Sequence, residues 1–286
     1  MRIRKLLLLA LSLVLAANLL SGCGRDNNDI NVVTRESGSG TRGSFVELFK
    51  LEIRQENLKK DLITLDAITT NKTGVMLTTI AGDNKSIGYV SIGSLNNTVR
   101  ALDIDGAAAT VENIQNGSYK ISRPFNIVTT GTASGLKKDF IDYIMSKEGQ
   151  AVVSENNYVP VTNKGNIYTG YSSRPGGRLV IAGSSSVTPV MEKLKESYEA
   201  INPDVRIEIQ MTDSSAGVRA LLDGTCDIAM SSRDLTPEEA AQGNATIIAM
   251  DGIAVIVGKD NPKAGMTSAQ VKQVFTGEVT DWDEIL

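Results

Sequence analysis

The 286-residue sequence contains no histidine and only two cysteines, Cys23 and Cys226. The missing imidazole excludes Ser-His-Asp triads, Cys-His pairs and the usual zinc sites. Cys226 precedes a short apolar run, so we expect a buried structural thiol rather than a nucleophile. If Cys23 is lipidated, no second cysteine is left for an intrachain disulfide. These absences predict a protein that is not an enzyme and that holds no metal ion and no cofactor.

The charge balance limits the partners. The formal net charge is −4, and it becomes −7 without the cations Arg2, Arg4 and Lys5. An acidic protein is a poor candidate for binding nucleic acid or anionic lipid. Any anion would have to be held by a local site against the global charge. The composition, 41% hydrophobic and 22% charged, is typical of a globular protein.

The amino terminus resembles an export signal. Three cations in the first five residues precede an apolar run over residues 6–20, which is shorter than the roughly 20 residues that cross a membrane. The following Leu-Ser-Gly-Cys resembles the bacterial lipobox. This pattern predicts a lipoprotein signal peptide over residues 1–22 and an acylated Cys23 that tethers the protein to the extracytoplasmic face of the cell membrane. The alternative is an ordinary secretory signal with an incidental cysteine.

Strand-like and helix-like segments alternate along the rest of the chain. Apolar β-branched runs such as "INVV" and "RLVIAG" are strand-like, and "TPVMEKLKESYEAI" is helix-like, with Thr188 as its expected N-cap and Val190, Leu194, Tyr198 and Ile201 on one face. The alternation predicts an α/β fold with largely parallel sheets. Residues 162–178 are rich in Gly, Ser and Asn and lack periodicity, so we expect a linker there.

Three Ser/Gly-rich turns each open a helix-like segment: "ESGSGTRG" (36–43), "AGSSSVTP" (182–189) and "TDSSAG" (212–217). A helix start offers unpaired N–H groups and the positive end of the helix dipole, and both favour an anion. Plain Ser/Thr capping is the better explanation of any one turn taken alone. Three such turns together indicate a site for a small oxyanion, which needs donors from several directions.

The first turn also fits the spacing G-x-G-x-x-G at Gly38, Gly40 and Gly43, with Asp61 or Asp66 about 20 residues further on. A nucleotide-dependent enzyme is therefore an alternative. Two observations oppose it: an exported protein meets little nicotinamide cofactor, and the loop is crowded with Ser, Thr and Arg. No Gly-Lys-Ser/Thr follows any of the turns, which excludes a P-loop.

Several stretches together resemble the periplasmic-type phosphate-binding protein of the high-affinity phosphate ABC importer: "GSSSVTPVMEKLKESYEAINPDVRIEIQ", "SSAGVRALLDGTCDIAMSSRDL", "MDGIAVIVGKDNP", "VKQVFTGEVTDW", "VVTRESGSGTRGSF", "IGYVSIGSL" and "ISRPFNIVT". The resemblance implies an α/β, two-lobed periplasmic-binding-protein (type II) fold with two hinge strands. It also implies a monomer that binds inorganic phosphate between its lobes and passes it to the transmembrane subunits of an ABC permease.

The order of these stretches differs from that of the family, in which the "GSSSVTP" half comes first. The chain therefore resembles a circular permutant in which residues 162–178 join the family's original ends. The resemblance implies one lobe from residues 29–120 plus 251–286 and a second lobe from residues 121–250. The alternative is a fragment of a tandem duplication or a gene remnant.

The resemblance carries eight phosphate contacts onto this chain: Arg35, Ser39, Gly40, Thr41, Ser185, Ser186, Ser214 and Ser232. Ser232 stands where well-known members have an Asp that accepts the proton of hydrogen phosphate. Asp213 and Arg233 are further candidates, as a proton acceptor or as support for the site. This departure leaves discrimination against sulfate open, so binding or sensing of another tetrahedral oxyanion is an alternative function.

Overall fold

The computed structural model describes residues 28–55, 58–161, 165–170 and 175–285. The predicted signal peptide and Cys23 lie outside the described residues. The strands are β1 (Asn31–Arg35), β2 (Glu52–Gln55), β3 (Leu58–Asp61), β4 (Ile68–Thr70), β5 (Ser86–Ser91), β6 (Val99–Ala101), β7 (Asp103–Ile104), β8 (Ser122–Thr129), β9 (Val159–Pro160), β10 (Gly177–Ser184), β11 (Val205–Thr212), β12 (Ile228–Ser231), β13 (Asn244–Gly258) and β14 (Gly265–Met266).

The described helices alternate with these strands, and this confirms the α/β class. They are α1 (Gly40–Leu48), α2 (Thr73–Ala81), α3 (Val111–Gln115), α4 (Gly135–Ile144), α5 (Lys147–Glu155), α6 (Thr188–Ile201), α7 (Ser214–Leu222), α8 (Pro237–Ala240) and α9 (Ser268–Thr276). Two 3₁₀ turns, Ile92–Ser94 and Trp282–Glu284, complete the described elements. None of the helices in the described ranges has the length and apolar character that a membrane crossing requires.

One long strand connects the two halves of the molecule. The main sheet runs in the order β11-β10-β12-β8-β13-β5-β1-β4. The first part of the 15-residue β13 pairs with β8, and the second part pairs with β5 and β6. The flanking pairs β10–β11, β10–β12, β1–β4 and β1–β5 are parallel, as expected, whereas the central pairs are antiparallel. The prediction of largely parallel sheets is therefore confirmed for the flanking strands but wrong for β8 and β13, the two strands that cross between the halves of the molecule.

Two separate hydrophobic cores define two lobes. Lobe A is built around buried side chains between Val32 and Ile121 and between Ile253 and Ile285. Lobe B is built around buried side chains between Phe125 and Ala249. Each core contains clusters on both faces of its part of the sheet, as in other α/β architectures with helices on either side. The two cores meet where β8 and β13 pass from one lobe to the other.

Helix α6 agrees with its sequence pattern except at its two ends. Its periodic apolar side chains are buried as predicted, except Ile201, which is 39% exposed at the last residue of the helix. The expected N-cap was wrong by one residue, because Val187 occupies the cap position. The Thr188 hydroxyl instead donates to the Ser184 carbonyl, 3.0 Å away.

The expected linker is shorter at its carboxyl end than residues 162–178, because Gly177 and Arg178 already belong to β10. Its described middle part, 165–170, packs against lobe B. The Tyr168 hydroxyl donates to Asp139 Oδ2 at 2.7 Å, and its ring meets the edge of Tyr143 with centroids 5.3 Å apart. Residues 162–164 and 171–174 lie outside the described residues.

The first and last described segments lie side by side. The Ile30 amide donates to the Thr280 carbonyl at 2.7 Å, and the Trp282 amide donates to the Asn28 carbonyl at 3.0 Å. An antiparallel bridge between Asp29 and Asp281 lies between these two bonds. A loop that joined residue 281 directly to residue 29 would therefore span only a short distance.

Close packing of α7 on β10 yields a testable prediction. An alanine Cβ at Gly217 would lie 2.4 Å from the Gly183 Cα and 2.8 Å from the Ala182 carbonyl oxygen. Both contacts are backbone and cannot rotate away, so Gly217→Ala should lower the free energy of unfolding by about 2 kcal/mol.

The matched control is Gly74→Ala in α2, where a Cβ meets nothing within 4 Å. This variant should be neutral or more stable by up to about 1 kcal/mol, because alanine favours the helix. Urea unfolding followed by circular dichroism measures both variants. Equal stability of the two variants would contradict the close approach of α7 and β10.

Candidate functional site

Eight buried hydroxyl side chains meet between the two lobes, and we call them the hydroxyl cluster. None is more than 6% exposed. Lobe A contributes the first three and lobe B the other five: Ser39, Thr41, Thr73, Ser184, Ser185, Ser186, Ser214 and Ser232. Most of them lie between the last residue of a strand and the first turn of the helix that follows, so the amino-terminal ends of several helices lie at the boundary between the lobes.

Local sequence explains the turns. Ser39 is the N-cap of α1, and its hydroxyl accepts from the Arg42 amide at 3.3 Å. Asp213 is the N-cap of α7, and its carboxylate accepts from the Ala216 amide at 2.8 Å. Short polar side chains at these positions satisfy one of the unpaired amides at each helix start and leave others free to face the cluster.

Arg35 ends β1 and points across the boundary between the lobes. It is only 3% exposed. Its Nη2 donates to Ser185 Oγ in lobe B at 3.1 Å, and its Nη1 reaches Thr73 Oγ1 at 3.4 Å. Its Nε and Nη2 also donate to the two carboxylate oxygens of Glu36, at 2.8 and 2.7 Å. A buried cation therefore lies beside the hydroxyl cluster, and Glu36 pairs with only one edge of its guanidinium.

The lobes are joined directly by hydroxyl contacts. Thr41 Oγ1 and Ser186 Oγ share a hydrogen bond of 2.6 Å, in which either atom can donate. Thr73 Oγ1 and Ser185 Oγ share a second one of 3.2 Å. Because a hydroxyl both donates and accepts, each of these pairs can turn its hydrogen toward an anion placed between them.

Gly40 allows a close approach of the two lobes. A Cβ at this position would lie 2.4 Å from Ser214 Oγ and 2.6 Å from Ser232 Oγ, so any larger residue would push the lobes apart. Ser214 Oγ accepts from the Ser232 amide at 3.1 Å, and Ser232 Oγ accepts from Ser184 Oγ at 2.9 Å. The helix start at Gly40 thus faces a ring of hydroxyl groups.

Asp213 and Arg233, the two supporting candidates, do not join the cluster. The Asp213 carboxylate caps α7 and lies against Gly38. Arg233 donates to both carboxylate oxygens of Glu239, at 2.7 and 2.8 Å, and to Ser215 Oγ at 3.0 Å. The side-chain hydrogen bonds of both residues go to these neighbours rather than to the hydroxyl cluster.

Sequence reasoning missed Thr73, Ser184 and Glu36. Thr73 begins α2 shortly after β4, so its strand, turn and helix context is of the same kind as that of the three recognised turns. Ser184 is the first serine of "GSSS", and Glu36 directly follows Arg35. The signals were present, but nothing in the local pattern shows that these side chains point to a common centre.

A buried tyrosine supports the strand that carries Arg35. The Tyr89 hydroxyl shares a 2.8 Å hydrogen bond with Thr34 Oγ1 and accepts from the Arg35 amide at 3.2 Å. Burial raises the pKa of Tyr89, so the phenol remains neutral and able to donate. Across residues 28–55, 58–161, 165–170 and 175–285, no group of three or more acidic or cysteine side chains is placed to hold a metal ion.

Comparisons with known proteins assign the family. A family model described as a PBP superfamily domain matches residues 17–148 and 169–285. The phosphate-binding protein PstS 2 of Streptococcus agalactiae is 51% identical, covering 99% of this chain and 98% of the relative. PstS 2 of Streptococcus pneumoniae is 40% identical over the full length of both chains.

The fold agrees with that of a solved relative. The crystal structure of a phosphate-binding protein of a phosphate ABC transporter from Streptococcus pneumoniae TIGR4 has a TM-score of 0.72 and 41% identity, covering 90% of this chain and 100% of that one. The chain therefore belongs to the PBP superfamily and, within it, to the family of the PstS phosphate-binding proteins.

Proposed function

We propose that the protein binds inorganic phosphate in the hydroxyl cluster and delivers it to an ABC-type phosphate permease. The observation that carries the proposal is a buried arginine, Arg35, surrounded by hydroxyl groups from both lobes. The names of the full-length relatives, which are phosphate-binding proteins, support the choice of ligand. Binding and delivery need no covalent step, and the relatives are named for binding rather than for catalysis.

The chemistry of the cluster suits a tetrahedral oxyanion. Arg35 would donate two charge-assisted bonds, and the amide of Gly40 at the start of α1 would add a third donor. Ser39, Thr41, Ser185, Ser186, Ser214 and Ser232 would donate from the remaining directions. Phosphate would replace the direct contacts of Arg35 with Ser185 and of Thr41 with Ser186, so both lobes would hold the same ion.

The two lobes would open and close about the crossing strands to admit phosphate, as in other hinged binding proteins. The proposed lobes are residues 29–120 plus 251–286, and residues 121–250. We further propose that the order of these parts is a circular permutation, with residues 162–178 joining the original ends. The hydrogen bonds between the first and last described segments support this proposal, since a short connection could once have joined them.

The site would work outside the cell. We propose that Cys23 is acylated and that the protein is a monomer held by this anchor on the extracytoplasmic face of the membrane. A tethered binding protein remains close to the permease that receives its ligand, and this raises the effective concentration of phosphate at the permease.

Removal of the buried cation tests the proposal. Isothermal titration of the purified protein with phosphate should give a one-to-one complex, and Arg35→Ala should weaken binding by about 100-fold or more, because two charge-assisted hydrogen bonds are lost. The matched control is Arg42→Ala on the same turn, because Arg42 pairs with Asp61 rather than with the cluster. Its affinity should equal that of the parent.

Thermal unfolding gives an independent measurement, since phosphate at about 100 times its dissociation constant should stabilise the native state by about 2.7 kcal/mol. If Arg35→Ala binds phosphate as tightly as the parent, Arg35 is not part of the site. If the folded parent protein shows neither heat of binding nor stabilisation, the proposed function is wrong.

Competition by sulfate tests the selectivity of the site. The cluster side chains are hydroxyl groups, which can accept a proton-bearing oxygen or donate to a bare one. A site without a free carboxylate should therefore discriminate weakly, and we expect sulfate in about 100-fold excess to displace phosphate. Titration of phosphate into sulfate-saturated protein measures this.

Failure of sulfate to compete at any accessible excess would show that an acceptor for the phosphate proton exists in the site. Glu36→Gln, which keeps the side-chain length but removes the carboxylate beside Arg35, would then identify it by a loss of selectivity. Tighter binding of sulfate than of phosphate would instead favour a different oxyanion as the ligand.

A further inference from the structure

A buried ion pair lies where the crossing strands pass between the lobes. Arg123 on β8 and Asp251 on β13 are register partners in the antiparallel pair. Arg123 Nε and Nη2 donate to Asp251 Oδ2 at 3.3 and 3.1 Å, and the two residues are 2% and 0% exposed. Burying two charges carries a large desolvation cost, and such pairs persist where further hydrogen bonds hold both partners.

These further bonds reach both lobes. Ser91 Oγ, in lobe A, donates to Asp251 Oδ1 at 2.7 Å. Arg123 Nη1 donates to the carbonyl oxygen of Ser232, in lobe B, at 3.1 Å. Ser44 Oγ on α1 of lobe A donates to the same carbonyl at 3.3 Å. The ion pair therefore connects the crossing strands β8 and β13 to one residue of the hydroxyl cluster.

The position of Ser232 also determines a contact of Ser214. Its amide donates to Ser214 Oγ at 3.1 Å, so that one lone pair of the Ser214 hydroxyl is occupied and its hydrogen is available for an acceptor. A shift of the Ser232 backbone would change the direction of this amide and of its own hydroxyl. Arg123 thus fixes a backbone segment on which two predicted ligand contacts depend.

The charge of Arg123 also acts on the cluster. Nη1 of its guanidinium points to Ser232, and the edge formed by Nε and Nη2 faces Asp251. Asp251 therefore lies on the side of the guanidinium away from Ser232. Burial lowers the pKa of Arg123, Asp251 opposes that shift, and the nearby charge of Arg35 lowers the pKa further. The fields of the two arginines therefore overlap close to the cluster.

We propose that Arg123 is a positioning residue for oxyanion binding, which orients Ser232 through its carbonyl and adds positive charge behind the hydroxyl cluster. Asp251 holds Arg123 in place between the hinge strands. This inference rests on the proposed function, because it takes phosphate as the ligand of the cluster. It differs from a purely structural role of the ion pair in predicting that the change at Arg123 weakens phosphate binding and the change at Asp251 does not.

Two variants separate these roles. Burial raises the pKa of Asp251 to about 6 despite Arg123, so titrations at about pH 8 keep the carboxylate of the parent protein charged. Arg123→Gln should then weaken phosphate binding by about tenfold or more, because the cation behind the cluster and its charge-assisted bond to the Ser232 carbonyl are lost. Asp251→Asn removes the anion but can still accept from Ser91 and Arg123, so binding should be unchanged or tighter by up to about tenfold.

A matched control is Arg100→Gln. Arg100 also donates to backbone carbonyls, those of Asn261 and Lys263, but at the far end of β13. It should alter stability without altering phosphate affinity. Arg123→Lys keeps the charge but loses the fork, so it should bind phosphate more tightly than Arg123→Gln.

The outcomes are distinguishable. Weaker phosphate binding by Asp251→Asn, or parental affinity of Arg123→Gln, would overturn the proposal. If Arg123→Gln fails to unfold cooperatively, Asp251→Asn decides in its place, and weaker phosphate binding by Asp251→Asn overturns the inference. Absence of phosphate binding by the folded parent protein would instead refute the proposed function.

Discussion

The burial of Arg35 is the constraint on which the rest of the site depends. A guanidinium that is almost fully removed from water must have its donors satisfied, since an unpaired buried charge is far more costly than an exposed one. Glu36 accepts from two donors at one edge, and hydroxyl groups from both lobes accept from two more. The same arrangement that makes the buried cation tolerable would also make it a receptor for an anion, as we propose, because hydroxyl groups can turn from accepting to donating.

The sheet explains how distant segments reach this cation. Residues 35 and 185 are far apart in the chain, but β1 and β10 flank the same pair of crossing strands, β8 and β13. Turns at the ends of these strands therefore face one another across the lobe boundary. Gly40 then permits the contact with Ser214 and Ser232 that a side chain would prevent. The crossing strands carry both the connection between the lobes and the buried pair of Arg123 and Asp251.

Local patterns predicted the parts of this structure that depend on neighbouring residues. The strand, turn and helix segments around Ser39, Ser185 and Ser214 could be located. Contacts between distant residues could not be located in this way. Arg233 could not be seen to pair with Glu239, nor Thr188 to bond to Ser184, and the partnership of Arg123 with Asp251 exists only once β8 and β13 are aligned.

A crystal structure of the protein with phosphate tests the account most directly. The account predicts one tetrahedral anion between the lobes, within hydrogen-bond distance of Arg35 and of hydroxyl groups from both lobes. The direct hydrogen bonds of Arg35 to Ser185 and of Thr41 to Ser186 should be exchanged for bonds to its oxygen atoms. Phosphate bound elsewhere, with these two contacts intact at saturating phosphate, would contradict the account.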